Sequence, residues 1–308
     1  VEKERLKVAR NTLYIFLILI FLTQVFNATT TYAVDLSAYA RDIYRPLIGG
    51  VQVKILVYGS DTEVDWIRTL GYLARDSNDR LGFAIVAHCM WVPEENIWSN
   101  NASFYQPVYS EDNFIGNNPI LIGPKELAFI PLANDVPSEP YILNISDTTY
   151  KANKLPVTGY FDLDEIDEAK RGQWKVYKTG RTTGTTSGFI LEVYRTDRTF
   201  TIDFNGVLVN ITARWIETSA KMEKGDSGSP LYYIGFTYDE NGNKIYEAKL
   251  IGILSAFTET KSFAIPVVDF IDYLNIRPVL TSISSSGSSD GSSGGGGGGL
   301  PPEDIAAF

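Results

Sequence analysis

Between Val34 and Leu280 the chain is organised as short alternations of apolar and polar residues. Val51, Val53, Ile55 and Val57 recur with period two, which predicts a half-buried strand. Phe200, Ile202 and Phe204 alternate up to Asn205-Gly206, and Val207, Val209 and Ile211 alternate after it. Two turn residues that tolerate positive φ between two alternating runs predict a tight hairpin. A second hairpin is expected around Asn241-Gly242, between Leu231–Tyr238 and Ala248–Leu254. Only Val267–Ile276 carries a helical stripe, with Val267, Phe270, Ile271 and Leu274 on one face. Many short strands, frequent turns and one terminal helix predict antiparallel barrels or a sandwich. The acidic stretch Asp162–Glu168 separates two strand-rich halves and reads as a solvated linker, since it lacks the glycine and spacing of a calcium loop.

The ends have a different character. A charged start at Glu2–Arg10, an unbroken apolar run from Leu13 to Leu22 and the small-residue exit Thr31-Tyr32-Ala33 are the parts of a secretory signal peptide. The run is short of the roughly 20 residues a spanning helix needs, although Thr12 and Thr23–Phe26 extend it enough to keep a membrane anchor through residues 13–26 open. Either reading places the rest outside the cytoplasm. Residues 282–308 are a Ser/Gly-rich stretch with a short end segment, expected to be a disordered tail. The organisation is therefore 1–33 signal or anchor, 34–160 first strand set, 161–171 linker, 172–281 second strand set with the helix, and 282–308 tail.

Composition narrows the chemistry. With 27 Lys+Arg against 37 Asp+Glu the net charge is −10, and no cluster of cations suits a phosphate backbone, so nucleic acid is not an expected partner. One Cys excludes an intrachain disulfide and any Cys-rich zinc site, and one His excludes multi-His metal chemistry. No cofactor is expected. Catalysis either runs through His88 or does without imidazole.

The sharpest motif is Gly225-Asp226-Ser227-Gly228-Ser229-Pro230. Its glycines allow a tight turn in which the N–H groups of Gly225 and Ser227 converge on one point, the preorganised donors that an oxyanion needs. An ordinary Gly/Ser turn between strands has the same composition. His88 ends the apolar run Phe83–Ala87, where a lone His is equally a packed turn residue. A nucleophilic Ser and its base must be neighbours in space but not in sequence.

Ala87-His88-Cys89 followed by Gly225–Pro230 resembles the chymotrypsin-fold serine proteases, most closely their bacterial and archaeal extracellular branch. Arg45–Val53, Val176–Thr185, Gly252–Ser255 and Ser262–Val267 match further pieces in the same order. The resemblance implies an all-β fold of two antiparallel six-stranded barrels with a C-terminal helix, 34–160 forming the first and 172–281 the second. It implies an endopeptidase acting on polypeptides, with Ser227 as nucleophile and His88 as base. Where this family places an Asp, Lys125–Leu132 offers Glu126; Asp112 and Asp135 flank that segment as alternative carboxylates. Relatives of this branch give the Asp226 position an internal cation, and Lys178 aligns with it, unless Lys178 is a surface lysine. By the same alignment Lys221 lies near the base of the specificity pocket, with Ser255, Ala256 and Phe257 along its wall and Lys261 close by; solvated loops are the alternative for both lysines. Cys89, half of a disulfide in many relatives, is left to pack behind His88. The Glu in place of Asp and the crowded wall leave a second class in view: a weak or inactive homologue serving as a cell-surface binding module.

Overall fold

The computed structural model describes residues 35–146, 151–204 and 206–283. The expected signal or anchor segment, the tail beyond Ile283 and the turn residue Asn205 lie outside them.

The second strand set closes on itself. Lys244–Phe257, Pro230–Tyr238, Lys175–Gly180, Gly184–Phe204, Val207–Thr218 and Ser262–Pro266 follow one another as antiparallel neighbours, and Ser262–Pro266 returns to Lys244–Phe257 to complete a six-stranded barrel. Closure satisfies the edge amides that an open sheet would leave exposed. Both expected hairpins are present: Phe204 pairs with Val207, and Tyr238 with Lys244. Three further strands extend the sheet outward, Lys151–Tyr160 running parallel to Lys244–Phe257, then Ser138–Ser146 and Leu47–Gly49.

The rest of the first strand set forms two larger sheets and a short ribbon of Trp91–Val92 with Ile97–Trp98. Glu63–Thr69, Gln52–Tyr58, Ala102–Tyr105 and Phe114–Asn117 make one, with Val53, Ile55 and Val57 fully buried as the alternation requires. Ile120–Ile122, Leu127–Pro131, Leu81–Ile85, Leu73–Arg75 and the late strand Arg277–Pro278 make the other, and Gly116 bridges to Leu132 between them. One main core runs through both sets and includes Val53, Phe83 and Phe129 together with Trp215, Tyr232 and Leu250.

The terminal helix forms over Val267–Leu274, close to expectation. The acidic stretch, expected as a solvated linker, forms a helix over Leu163–Arg171. Asp162 accepts from the N–H groups of Asp164 and Glu165 while Glu165 reaches back to the Asp162 N–H, a reciprocal cap that satisfies the free amides of the first turn. Acids in the first turn and Lys170 and Arg171 in the last complement the helix dipole. Ile166 and Ala169, three apart, are buried against a smaller core with Val176 and Ile251.

Candidate active site

Register brings the acid to the base. Leu127–Pro131 runs antiparallel to Leu81–Ile85 with Ala128 opposite Ile85, so the residue two before Ala128 faces the residue two after Ile85. Glu126 is therefore set against Ala87, whose N–H donates to the Glu126 carbonyl at 3.3 Å. A single turn over Gly123–Lys125 ends on Glu126 in the left-handed region, with φ 64°. That geometry swings its side chain onto the next residue, His88.

The Glu126 carboxylate is fully buried. One oxygen contacts the Nδ1 of His88; the other accepts the His88 backbone N–H at 3.2 Å. Ser255 Oγ donates to Oε1 at 2.7 Å, so this residue, expected in the wall of the pocket, also fixes the acid. Asp112 and Asp135 are exposed. With Nδ1 committed to the carboxylate, Nε2 is the ring nitrogen that remains. Phe204, at the tip of the long hairpin, stacks on the imidazole with centroids 4.6 Å apart and planes at 18°. Beside Glu126, Lys125 pairs with Asp197 of that hairpin and lies 4.8 Å from the centre of the Tyr273 ring.

The Ser227 turn hangs on a buried carboxylate. Asp226 is fully buried and accepts from Lys178 Nζ at 2.8 Å, Thr182 N at 2.8 Å, Thr183 N at 3.3 Å, Thr183 Oγ1 at 2.7 Å and Glu223 N at 3.1 Å. Lys178 is equally buried; desolvation pulls its pKa down, opposed by Asp226. The two readings of Lys178 thus resolve to the internal pair. Gly225 and Gly228 adopt φ of +103° and +94°. At Gly228 a side chain would run into the Thr69 carbonyl. The N–H groups of Asp226, Gly228 and Ser229 are taken by the carbonyls of Glu223, Leu254 and Asp226. Among the described residues those of Gly225 and Ser227 donate to no protein acceptor, which leaves them for a ligand oxygen.

His88 and Ser227 line one cavity of about 700 Å³ with Ser255, Ala256, Phe257 and the hairpin residues Phe200–Phe204. No hydrogen bond joins the His88 ring to the Ser227 hydroxyl; such bonds often tighten only around bound substrate. His88 and Ser227 are 4% and 8% exposed. Cys89 is fully buried, and that burial pushes its thiol up to about 12.

Lys221 is not among the residues that line the cavity. It is 70% exposed and pairs with Glu223 at 2.5 Å, because a hydrated ammonium is cheaper to hold at the surface than in an apolar pocket. Lys261 likewise pairs outside, with Glu217 at 2.5 Å. Trp66, Arg68, Phe204 and the supporting Thr183 were not singled out by sequence. Alternation could have pointed to Phe204, since Phe200, Ile202 and Phe204 share one apolar face and pair with Ile211, Val209 and Val207.

No family model and no curated protein matches the chain. Among solved structures it is similar to Protease A of Thermobifida fusca (17% identity over 76% of this chain and 98% of that one, TM-score 0.48). It is also similar to a chymotrypsin of Cellulomonas bogoriensis (20%, 76% and 98%, TM-score 0.46) and to a Nocardiopsis protease (16%, 75% and 97%, TM-score 0.44).

Proposed function

We propose that the chain is an exported serine endopeptidase. Ser227 Oγ attacks the scissile carbonyl carbon as its proton passes to His88 Nε2, and the Glu126 carboxylate holds the ring and stabilises the imidazolium. The N–H groups of Gly225 and Ser227 receive the developing oxyanion. Collapse breaks the C–N bond, His88 returns the proton to the amine, and water releases the acyl group by the same route. The observation that carries this reading is a buried acid bonded to the only imidazole, in a cavity shared with a serine whose turn presents two unused amides. Export is supported by the charged, then apolar, then small-residue pattern of residues 1–33.

A second reading, a binding module with little or no activity, is favoured by one observation: Phe204 covers the face of His88. Labelling of the folded protein with a fluorophosphonate separates the two. Covalent labelling at Ser227, lost in Ser227→Ala, is expected of the protease; a folded protein that takes no label would leave the binding module.

A further inference from the structure

The strand Glu63–Thr69 runs beside the Ser227 turn. Thr69 N donates to the Ser227 carbonyl at 3.0 Å and Thr69 Oγ1 to the Gly225 carbonyl at 3.1 Å. On the other side the turn is held by the strand of Ser255, through Gly228 N and the Leu254 carbonyl at 2.9 Å. Arg68, next to Thr69, lines the cavity on the side away from Ser255–Phe257 and is only 9% exposed.

Its charge is poorly matched. The guanidinium carbon lies 4.5 Å from the centre of the Trp66 ring, Nη1 donates to the Ile67 carbonyl at 3.1 Å, and Nε has no acceptor among the described residues. Among the described residues no carboxylate pairs with it; burial pulls its pKa down, opposed by the neighbouring Cys89 thiol. Arg68 also bears on Arg181, whose charge Asp226 offsets in turn. Asp203, a carboxylate on the cavity wall, is turned to the Gly206 N–H at 2.5 Å.

A guanidinium does not give up its proton in a protein, so burial cannot be relieved by neutralisation. A buried cation without an anion is costly, and a partner carboxylate forming two parallel hydrogen bonds recovers that cost. That this buried guanidinium shares a cavity with Ser227, in a chain of net charge −10, marks it as a place for an incoming anion.

We propose that Arg68 forms a subsite for a carboxylate of the substrate, across Ser227 from the Ser255–Phe257 wall. The inference rests on the protease reading above and adds its substrate class: polypeptides with an acidic side chain, or a free C-terminal carboxylate, close beyond the cleaved bond.

The test takes a peptide that the full chain cleaves at one mapped bond. In one arm, Glu and Gln are compared at each of the two positions after that bond, with the peptide end amidated. In the other, the peptide is shortened to end at those positions as a free acid or an amide. A preference in kcat/KM of about tenfold or more for the charged member is expected in one arm, and the arm identifies the source. Arg68→Gln should bring that ratio to about one, and Arg68→Lys should keep part of it. The ratio is taken within one enzyme preparation, so a loss of folded protein cancels; if Arg68→Gln does not fold, the wild-type ratios and Arg68→Lys decide. Ratios near one in both arms of the wild type, or a ratio unchanged in Arg68→Gln, overturn the subsite. Fluorophosphonate labelling in parallel distinguishes the failures: label with flat ratios removes the subsite alone, and no label removes the protease reading with it.

Discussion

Replacing Lys178 by Met isolates the pair beneath Ser227. The variant keeps most of the side-chain volume but removes the cation from a fully buried carboxylate. Breaking a buried pair from one side costs about 3–5 kcal/mol, because an uncompensated charge remains. Asp226 would keep its donors Thr182 N, Thr183 N, Thr183 Oγ1 and Glu223 N, so the lower end, about 3 kcal/mol, is expected. For a folded body of this size that is a fall in Tm of about 6–12 °C. Calorimetry reads the shift, and urea unfolding reads the free energy. Asp226→Asn removes the other charge, and Lys178, whose pKa burial already lowers, can then shed its proton. The double variant should therefore lose less than the sum of the singles, with a coupling of about 2 kcal/mol or more. The same variants should label more slowly at Ser227, since Asp226 shapes the turn that presents it. A cost below about 1 kcal/mol for Lys178→Met, additivity in the cycle, or wild-type labelling would refute the view that this pair holds the turn.

Three other outcomes follow from the geometry. Glu126→Gln should lower peptide turnover by about 10³–10⁴ with little change in KM, and Glu126→Asp, one methylene short of His88 and Ser255, by at least about tenfold; steady-state kinetics on one substrate checks both. Gly228→Ala places a side chain at positive φ against the Thr69 carbonyl and should cost about 3 kcal/mol or more in urea unfolding. Asp269, on the terminal helix, is buried with Arg214 Nη2 at 2.6 Å but without a directed hydrogen bond, and burial pushes its carboxyl up to about 6. Since the folded state holds this proton more tightly than the unfolded one, stability from this group should fall by about 2 kcal/mol as pH rises from 4 to 6, out of about 3 kcal/mol over the whole titration. Asp269→Asn should lack that fall, and identical pH profiles of the two unfolding free energies would refute the assignment.

Much of the site was legible in the chain before folding. Period-two alternation placed the strands and both hairpins, because a strand with one buried face must alternate. The Gly-Asp-Ser-Gly turn and the single imidazole narrowed the chemistry to a few atoms, since oxyanion donors need glycine-permitted geometry and proton transfer near neutral pH favours imidazole. The helix at Leu163–Arg171 was also written there, in Asp162 and Glu165 three apart, but its acidic surface hid a stripe of only Ile166 and Ala169. Other features were settled by tertiary contact alone. Whether Glu126 reaches His88 depends on the register of Leu127–Pro131 against Leu81–Ile85 and on a left-handed residue at the join. Burial of Lys178, exposure of Lys221 and the lone charge of Arg68 are equally beyond sequence, because a lysine or arginine carries the same side chain whether its partner is a carboxylate, water or nothing. Local pattern determines where the chain turns and which face is apolar; which charges meet is decided by the closing of the sheets.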